Sequence, residues 1–289
     1  MEQVTANILT ETRKRGSNPG IVVTSAGVVI IDTPQLPTDA VLMRKAAEEL
    51  GPIQYLFNTE HHSDHIFGNY YFRGAGVVIH HEEIYNNFMA PESVLDPYDF
   101  VADSVRTQDP AGLDLFPDRD TYYEDVNKAS ITFTEDLTLR LGGHTFELLH
   151  TPGHTPGQTA VYMPEERVVF TGDTIFSGCQ TWLMTSDIDL WLTSLDRIAA
   201  LDVDTIVPGH GPVTTPDYIR TQRACLMEWV AAVADAVARG WTRDETQARV
   251  NPGARLPVDV GLEGMTEHIC TLNAASLWDK LTSANAARP

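Results

Sequence analysis

Four short segments of the chain carry histidine or acidic residues among glycine, proline and small polar residues. They are Thr59–His65, Thr151–Gly157, Thr171–Thr174 and Pro208–Pro212, and they hold five of the 10 histidines. Each follows a run of apolar residues typical of a strand, so we expect each to be a loop at a strand end. Loops of this kind are where a rigid sheet presents functional side chains.

Imidazoles and carboxylates brought together from such loops suit a divalent metal ion. Zinc, for example, takes nitrogen and oxygen ligands at about 2.0 to 2.2 Å. A single histidine in a loop is more often a hydrogen-bonded structural residue than a ligand. Four loops of the same character together predict a metal site.

The order of these motifs, with the His-His-x-Asp-His run at His61–His65, resembles the metallo-β-lactamase-fold superfamily, most closely its glyoxalase II-like and general metallo-hydrolase branch. The resemblance covers roughly residues 21 to 213. It implies an αββα sandwich with a dinuclear metal site on one edge. It also implies the division of the ligands: His62 and His154 on the first metal, Asp64, His65 and His210 on the second, and Asp173 as a bridge between them.

One position departs from the family pattern, because Glu60 stands where the family usually has its first histidine, two residues before His62. Three interpretations are open. Glu60 is a ligand of the first metal, since its carboxylate reaches about as far as an imidazole; or it does not coordinate, and the enzyme works mainly on the second metal; or His61 takes the position. Neighbouring side chains in an extended segment point to opposite sides, so we expect His61 to lie behind the site.

The implied cofactors are two divalent ions, with zinc as the expected metal and manganese or iron as alternatives. If Glu60 coordinates, carboxylates at 60, 64 and 173 lower the net charge of the centre and favour harder ions. Two ions can hold a hydroxide between them, because coordination lowers the pKa of water from about 15.7 towards about 7. Asp64 is the expected proton-transfer residue, and Glu60 is a second candidate.

The predicted function is that of a metallo-hydrolase that uses metal-bound hydroxide to cleave an ester, lactone, thioester or related carbonyl substrate. No Gly-x-Ser-x-Gly motif offers a serine nucleophile instead. Two alternatives on the same fold are a non-haem iron oxidoreductase of the persulfide dioxygenase type and a β-lactamase-like amide hydrolase. A non-catalytic binding protein is a third.

Composition excludes several classes of protein. Lys and Arg number 20 against 40 Asp and Glu, a net charge of −20, which disfavours nucleic acid as a partner. No apolar run is long enough to span a membrane, and the N-terminus has no secretory signal, so we predict a cytoplasmic protein. The expected partner is a small-molecule substrate, and a homodimer is a further expectation.

The elements that must position these loops follow a mixed α/β pattern. Apolar β-branched runs at residues 20–24, 27–32, 53–58 and 76–79, and six more between 130 and 208, predict strands, with a helix over 38–50 and another over 190–201. We predict one domain, residues 1–289, with a four-layer αββα core over about 20–215 and a C-terminal helical extension over about 216–286. That extension covers the sandwich, forms a dimer face or closes over the pocket.

Residues 85–125 lack a clear period and contain Pro91, Pro97, Pro110 and Pro117, so we predict an irregular insertion near the active site. We predict that its aromatic residues, together with Trp182 and Met184, form one wall of a pocket that binds an apolar or aromatic substrate. Core packing explains each aromatic residue equally well. The histidines outside the four loops, namely His80, His81, His144, His150 and His268, are read as structural or surface residues.

Overall fold

The computed structural model describes residues 1–90, 96–184 and 186–286 and contains two sheets. The first sheet has seven strands in chain order: β1 (Glu2–Gln3), β2 (Ile8–Thr10), β3 (Gly20–Thr24), β4 (Gly27–Ile31), β5 (Ile53–Phe57), β6 (Val77–His81) and β7 (Ile131–Phe133). Strands β1 to β4 pair antiparallel, whereas β4 to β7 pair parallel.

The second sheet has five strands: β8 (Leu137–Leu141), β9 (His144–His150), β10 (Thr159–Met163), β11 (Val168–Phe170) and β12 (Thr205–Val207). Their spatial order is β12-β11-β10-β9-β8, with β11 and β12 parallel and the other pairs antiparallel. The carboxyl ends of β11 and β12 therefore lie side by side, as do those of β4 and β5.

The helices flank these sheets. They are α1 (Pro37–Leu50), α2 (Ser63–Ile66), α3 (Glu82–Asn86), α4 (Pro97–Gln108), α5 (Arg119–Asp125), α6 (Ile188–Ala199), α7 (Tyr218–Ala238), α8 (Arg243–Arg249) and α9 (Thr266–Ala286). Short 3₁₀ turns occupy Phe67–Phe72, Pro110–Leu115, Gly172–Thr174 and Pro252–Arg255. Within the described ranges, none of the helices combines the length and the apolar character that a membrane span requires.

The sheets pack face to face because alternate apolar side chains of each point inward. This inner core comprises Ile8, Val22, Val29, Ile31 and Phe57 from the first sheet and Phe146, Leu148, Val161, Met163 and Phe170 from the second. At one place the sheets approach so closely that a Cβ on Gly20 would lie 2.4 Å from Cε1 of Phe170, so only glycine fits there.

A second layer of apolar contacts covers each outer face. Val28, Ile30 and Leu56 of the first sheet belong to a core with the buried face of α1, and Ala160, Val169 and Ile206 of the second belong to one with α6, α7 and α9. The predicted four-layer αββα arrangement is confirmed. Helices α7 and α9 cover the second sheet, which is one of the roles considered for the C-terminal extension.

The prediction of an irregular segment over residues 85–125 is wrong, because α4, a 3₁₀ turn and α5 fill most of it. The prolines suggested breaks, but Pro97 and Pro110 occupy first-turn positions, where the missing N–H costs nothing. Aspartates cap each element: Asp96 accepts from the N–H groups of residues 98 and 99, Asp109 from that of 112, and Asp118 from that of 121. Pro91 lies outside the described residues.

Most of the aromatic residues of this segment belong to the core. Phe88, Tyr98 and Tyr122 are buried in the cluster beside the first sheet, and the ring of Tyr122 stacks on that of Phe67 with centroids 4.4 Å apart. For these residues core packing was the correct interpretation. Only part of the wall that the sequence suggested lines the cleft, as described below.

Candidate metal centre

The four predicted loops leave strands whose ends meet along one edge of the sandwich. Residues 58–65 follow β5, 151–157 follow β9, 171–174 follow β11 and 208–212 follow β12. The last two loops touch: a Cβ on Gly209 would lie 1.9 Å from Oδ1 of Asp173, so glycine at 209 is what lets Asp173 stand beside the His210 loop.

The first group of donor atoms comes from Glu60, His62, His154 and Asp173, whose candidate ligand atoms lie within 4.8 Å of one another. Nδ1 of His62 lies 2.6 Å from Oε2 of Glu60 and 3.2 Å from Nε2 of His154. Nε2 of His154 lies 3.4 Å from Oδ2 of Asp173. Glu60 thus stands among the other donors, at the position where the family pattern has a histidine.

The second group comes from Asp64, His65 and His210. Nε2 of His210 lies 3.2 Å from Oδ2 of Asp64 and 3.3 Å from Oδ2 of Asp173. Nε2 of His65 lies 3.2 Å from Oδ1 of Asp173 and 3.2 Å from Oε1 of Glu60. Asp173 therefore contacts members of both groups and lies between them.

Three of the histidines are oriented by a hydrogen bond from Nδ1, the ring nitrogen that points away from the donor cluster. Nδ1 of His65 donates to Asp32 over 2.9 Å, Nδ1 of His210 to Asp259 over 2.7 Å, and Nδ1 of His154 to the carbonyl of Trp182 over 3.1 Å. Because Nδ1 carries a proton in each, Nε2 is the nitrogen that faces the cluster, and its lone pair is directed there whenever the ring is neutral. This arrangement is typical of metal-bound imidazoles.

Asp32 adopts an uncommon backbone conformation, with a φ of 54°. Its carboxylate accepts from the backbone N–H of Thr59 over 2.7 Å, from the Thr59 hydroxyl over 2.6 Å and from His65. No role was predicted for Asp32, although an acidic residue directly after the apolar run of β4 is a visible signal in the sequence. Asp259 gave no signal, because it lies in the C-terminal extension.

The charge balance of the site favours a cation. Burial raises the pKa of Glu60 to about 7; the His62 charge opposes this shift, and the Asp173 charge adds to it. Glu60 is fully buried, and no Lys or Arg among the described residues pairs with Glu60, Asp64 or Asp173. A buried carboxylate without a basic partner is stable in its charged form only when another positive charge lies nearby.

The charges of the same carboxylates shift the pKa values of two histidines. Burial by itself lowers the pKa of His65 and of His210, but the surrounding carboxylates, Asp173 among them, raise both well above the ordinary value. Burial likewise raises the pKa of Asp64, but the hydrogen bond and charge of His210 and the charge of His65 lower it below its usual range. The protonated imidazoles thus occupy the electrostatic role that a bound cation would take.

The donor set fits a divalent metal. Both oxygens of Glu60, Nε2 of His65 and Oδ1 of Asp173 are buried without a hydrogen bond of acceptable geometry to the described residues. Donors bound to one tetrahedral ion at about 2.1 Å lie about 3.4 Å apart, and the separations for His154–Glu60, His154–Asp173 and His210–Asp64 are 3.7, 3.4 and 3.2 Å. We therefore read these residues as able to hold a divalent cation.

A cleft opens over the cluster. Its apolar wall consists of Ala90, Pro97, Phe100, Trp182, Met184, Leu262, Met265 and Leu272. The expectation for Trp182 and Met184 agrees with this lining, whereas Phe100 is the one described aromatic residue of 85–125 on it. Residues of the C-terminal extension contribute a large part of the wall, and His268 lies exposed at its edge.

All seven residues predicted as ligands lie in the two groups, and His61 is in neither. His61 does not lie behind the site as expected: it lines the cleft, with its ring centroid 5.0 Å from that of His62. The chain between β5 and α2 bends instead of staying extended, so the alternation rule does not apply there.

Comparison of the sequence with those of known proteins adds three findings. A family model for the Metallo-beta-lactamase superfamily matches residues 12–210. A Beta-lactamase-like protein 2 homolog from Caenorhabditis elegans is 25% identical over 202 residues, 69% of this chain and 57% of that protein. A hydroxyacylglutathione hydrolase from Maricaulis maris is 28% identical over 183 residues, 63% of this chain and 56% of that protein. The chain thus spans little more than half the length of these relatives.

A solved structure of a metallo-beta-lactamase family protein from Thermus thermophilus superposes with a TM-score of 0.68. It is 20% identical, and the match covers 98% of this chain and 96% of that one. At this identity the likeness concerns the fold, and it includes the C-terminal helices that lie outside the family match.

Proposed function

This chain belongs to the metallo-beta-lactamase superfamily, and we propose that it is a metal-dependent hydrolase of an ester, lactone, thioester or related carbonyl substrate. The observation that carries the proposal is the convergence of seven donor side chains from four loops. Three of the imidazoles are oriented by hydrogen bonds from Nδ1, on the side of the ring away from the other donors. The similarity to a hydroxyacylglutathione hydrolase supports hydrolysis as the reaction class.

We assign two divalent ions to the site, with zinc as the expected metal. Glu60, His62 and His154 hold the first, Asp64, His65 and His210 hold the second, and Asp173 lies between them. When bound, such ions lower the pKa of water and polarise a carbonyl oxygen, which makes hydrolysis possible at neutral pH. Glu60 is assigned as a ligand because it lies beside both His62 and His65.

Asp64 is the proposed proton-transfer residue. Its side chain is 23% exposed and lines the cleft, so it faces both the donor cluster and a bound substrate. Glu60, the second candidate, is fully buried with 0% exposure. This burial favours the role of ligand over that of a residue that transfers protons to the substrate. The apolar wall beside them orients a small apolar or aromatic substrate and limits the access of water.

A second candidate function rests on the composition of the second group. Two histidines and one carboxylate, His65, His210 and Asp64, are also the donor set of non-haem iron oxygenases. An iron-dependent oxidoreductase would take up oxygen and would not release hydrolysis products. Oxygen consumption measured beside product formation separates the two functions.

The experiment is a substrate panel assayed with protein whose metal content has been measured. Aryl esters, γ-lactones and acyl thioesters are offered to protein as purified, to chelator-treated protein and to chelator-treated protein reloaded with zinc or manganese. We expect hydrolysis of at least one class, its loss with the metal and its return on reloading. Turnover that survives complete removal of metal would overturn the proposal.

A further inference from the structure

Arg15 is the one lysine or arginine among the described residues that line the cleft. It is only 8% exposed, whereas its neighbour Arg13 has 74% of its side chain exposed. The chain as a whole carries a net charge of −20. A buried guanidinium beside a carboxylate-rich metal centre is therefore unusual for this chain and requires an explanation.

Three elements hold Arg15 in place. Its Nε donates to Oε1 of Gln35 over 2.9 Å, and its Nη1 donates to the carbonyl of Gly261 in the C-terminal extension. The guanidinium lies 5.1 Å from the ring centroid of Phe100 on α4. These contacts fix the plane of the guanidinium, and no hydrogen bond to the described residues engages Nη2 or the second hydrogen of Nη1.

Gln35 also connects Arg15 to the metal loop. Its Nε2 donates to the hydroxyl of Ser63 over 3.1 Å, and Ser63 lies between His62 and Asp64 in the chain. The guanidinium and the donor cluster thus belong to one hydrogen-bonded framework and open into one cleft.

Arg15 has no ion-pair partner among the described residues, unlike Arg119, Arg167 and Arg255, each of which lies within 4.0 Å of a carboxylate. Asp64, Asp259 and Glu263 act on it only from farther away. Burying a charge without a paired counter-ion is costly, so an anionic ligand that completes the pair would be favoured at this position.

We propose that Arg15 binds a carboxylate of the substrate, so that the substrate class is a hydrolysable apolar or aromatic compound with one carboxylate beyond the scissile bond. The reaction part of this inference rests on the proposed function. Phe100, Trp182 and Met184 contact the apolar portion, and two of the three remaining N–H groups of Arg15, one on each Nη, hold the anion. A single guanidinium among carboxylates compensates one negative charge, which favours a carboxylate over a phosphate dianion.

The first test measures binding without turnover. 4-Phenylbutyrate and its neutral amide are titrated by calorimetry into metal-loaded wild type, Arg15→Gln and the matched surface control Arg13→Gln. We expect wild type and Arg13→Gln to prefer the carboxylate by about tenfold or more, and Arg15→Gln to lose that preference. A preference that persists in Arg15→Gln would place the anion on the metal and overturn the proposal.

The second test measures catalysis with 4-acetoxybenzoate and its methyl ester. We expect Arg15→Gln to raise KM for the anionic ester much more than KM for the neutral ester, and the metal content of each protein is measured alongside. Arg15→Lys, which keeps the charge but not the two-pronged geometry, should recover part of the preference. Equal effects on both esters would contradict anion binding.

The two proposals fail in different ways. If metal-loaded wild-type protein cleaves neither ester, the proposed hydrolysis is in doubt. The calorimetric comparison of the carboxylate with its amide still tests whether Arg15 binds an anion. If Arg15→Gln does not fold, as reported by its melting temperature, Arg15→Lys and the amide comparison in wild type decide the matter.

Discussion

Oδ2 of Asp259 lies 2.7 Å from Nδ1 of His210, so a residue of the C-terminal extension orients a donor of the metal centre. His210 stands at the last position of the family match, and Asp259 lies well beyond it. The extension is therefore part of the site as well as a cover for the second sheet.

From this pair we predict that Asp259→Ala lowers zinc affinity about 10- to 100-fold, since partners behind metal-bound histidines have effects of this size. Asp259→Asn, which keeps an acceptor oxygen, should lose less. Competition with a chromophoric chelator measures the affinity, and the exposed Asp217→Asn serves as the control. Equal affinity in Asp259→Ala and wild type would remove Asp259 from the centre.

Glu60→Gln separates a ligand role from a structural one. The change keeps the shape of a fully buried side chain and removes its charge. We predict a loss of metal affinity of at least about tenfold, and no fall in the melting temperature of chelator-treated protein, because an unfavourable buried carboxylate is removed. Glu48→Gln on the exposed face of α1 is the matched control.

The opposite pattern would count against a ligand role for Glu60. A variant that binds metal as wild type does, but melts at a lower temperature without metal, would show that the Glu60 carboxylate stabilises the fold and does not bind the metal.

Most of the donor set could be predicted from the sequence because its signal is local. Glycine and proline around His154 and His210 mark loops at strand ends, and the His61–His65 run fixes the spacing of three donors. Asp259 and Arg15 could not be predicted, since their roles depend on contacts between distant parts of the chain.

The helices over residues 97–125 were missed for a different reason. Proline at a first helical turn and proline in a loop look the same in sequence, and only the capping hydrogen bonds of Asp96 and Asp109 distinguish them. Core packing of Tyr98 and Tyr122 likewise depends on α4 and α5 being formed.

His80 predicts an acid-sensitive contribution to stability. Its Nε2 accepts from the N–H of Ala129 and its Nδ1 donates to the carbonyl of His81, so the folded protein holds a neutral ring. Burial lowers its pKa to about 4, against the opposing charge of Glu82. Because the folded pKa lies below the unfolded value of about 6.5, stability is complete above pH 6.5 and falls as the pH drops towards 4.

The expected loss is at most about 3 kcal/mol across this window. Urea unfolding at pH 7 and pH 4.5 measures it, and His80→Gln should show a smaller pH dependence than wild type. His268→Gln, an exposed histidine, is the control. Parallel pH profiles for wild type and His80→Gln would contradict the assignment.

Gly20→Ala tests the contact between the sheets. The added Cβ would lie 2.4 Å from the Phe170 ring, and we predict a destabilisation of about 1 to 3 kcal/mol by urea unfolding. Phe170→Leu removes the colliding ring, so the double variant should be less destabilised than the sum of the single changes. Simple additivity would show that the sheets do not meet at this point.

Anomalous scattering from zinc-loaded crystals tests the metal centre most directly. We predict two peaks, one contacted by Glu60, His62 and His154 and the other by Asp64, His65 and His210, with Asp173 touching both. A single peak, or a first peak from which Glu60 is turned away, would contradict the dinuclear assignment.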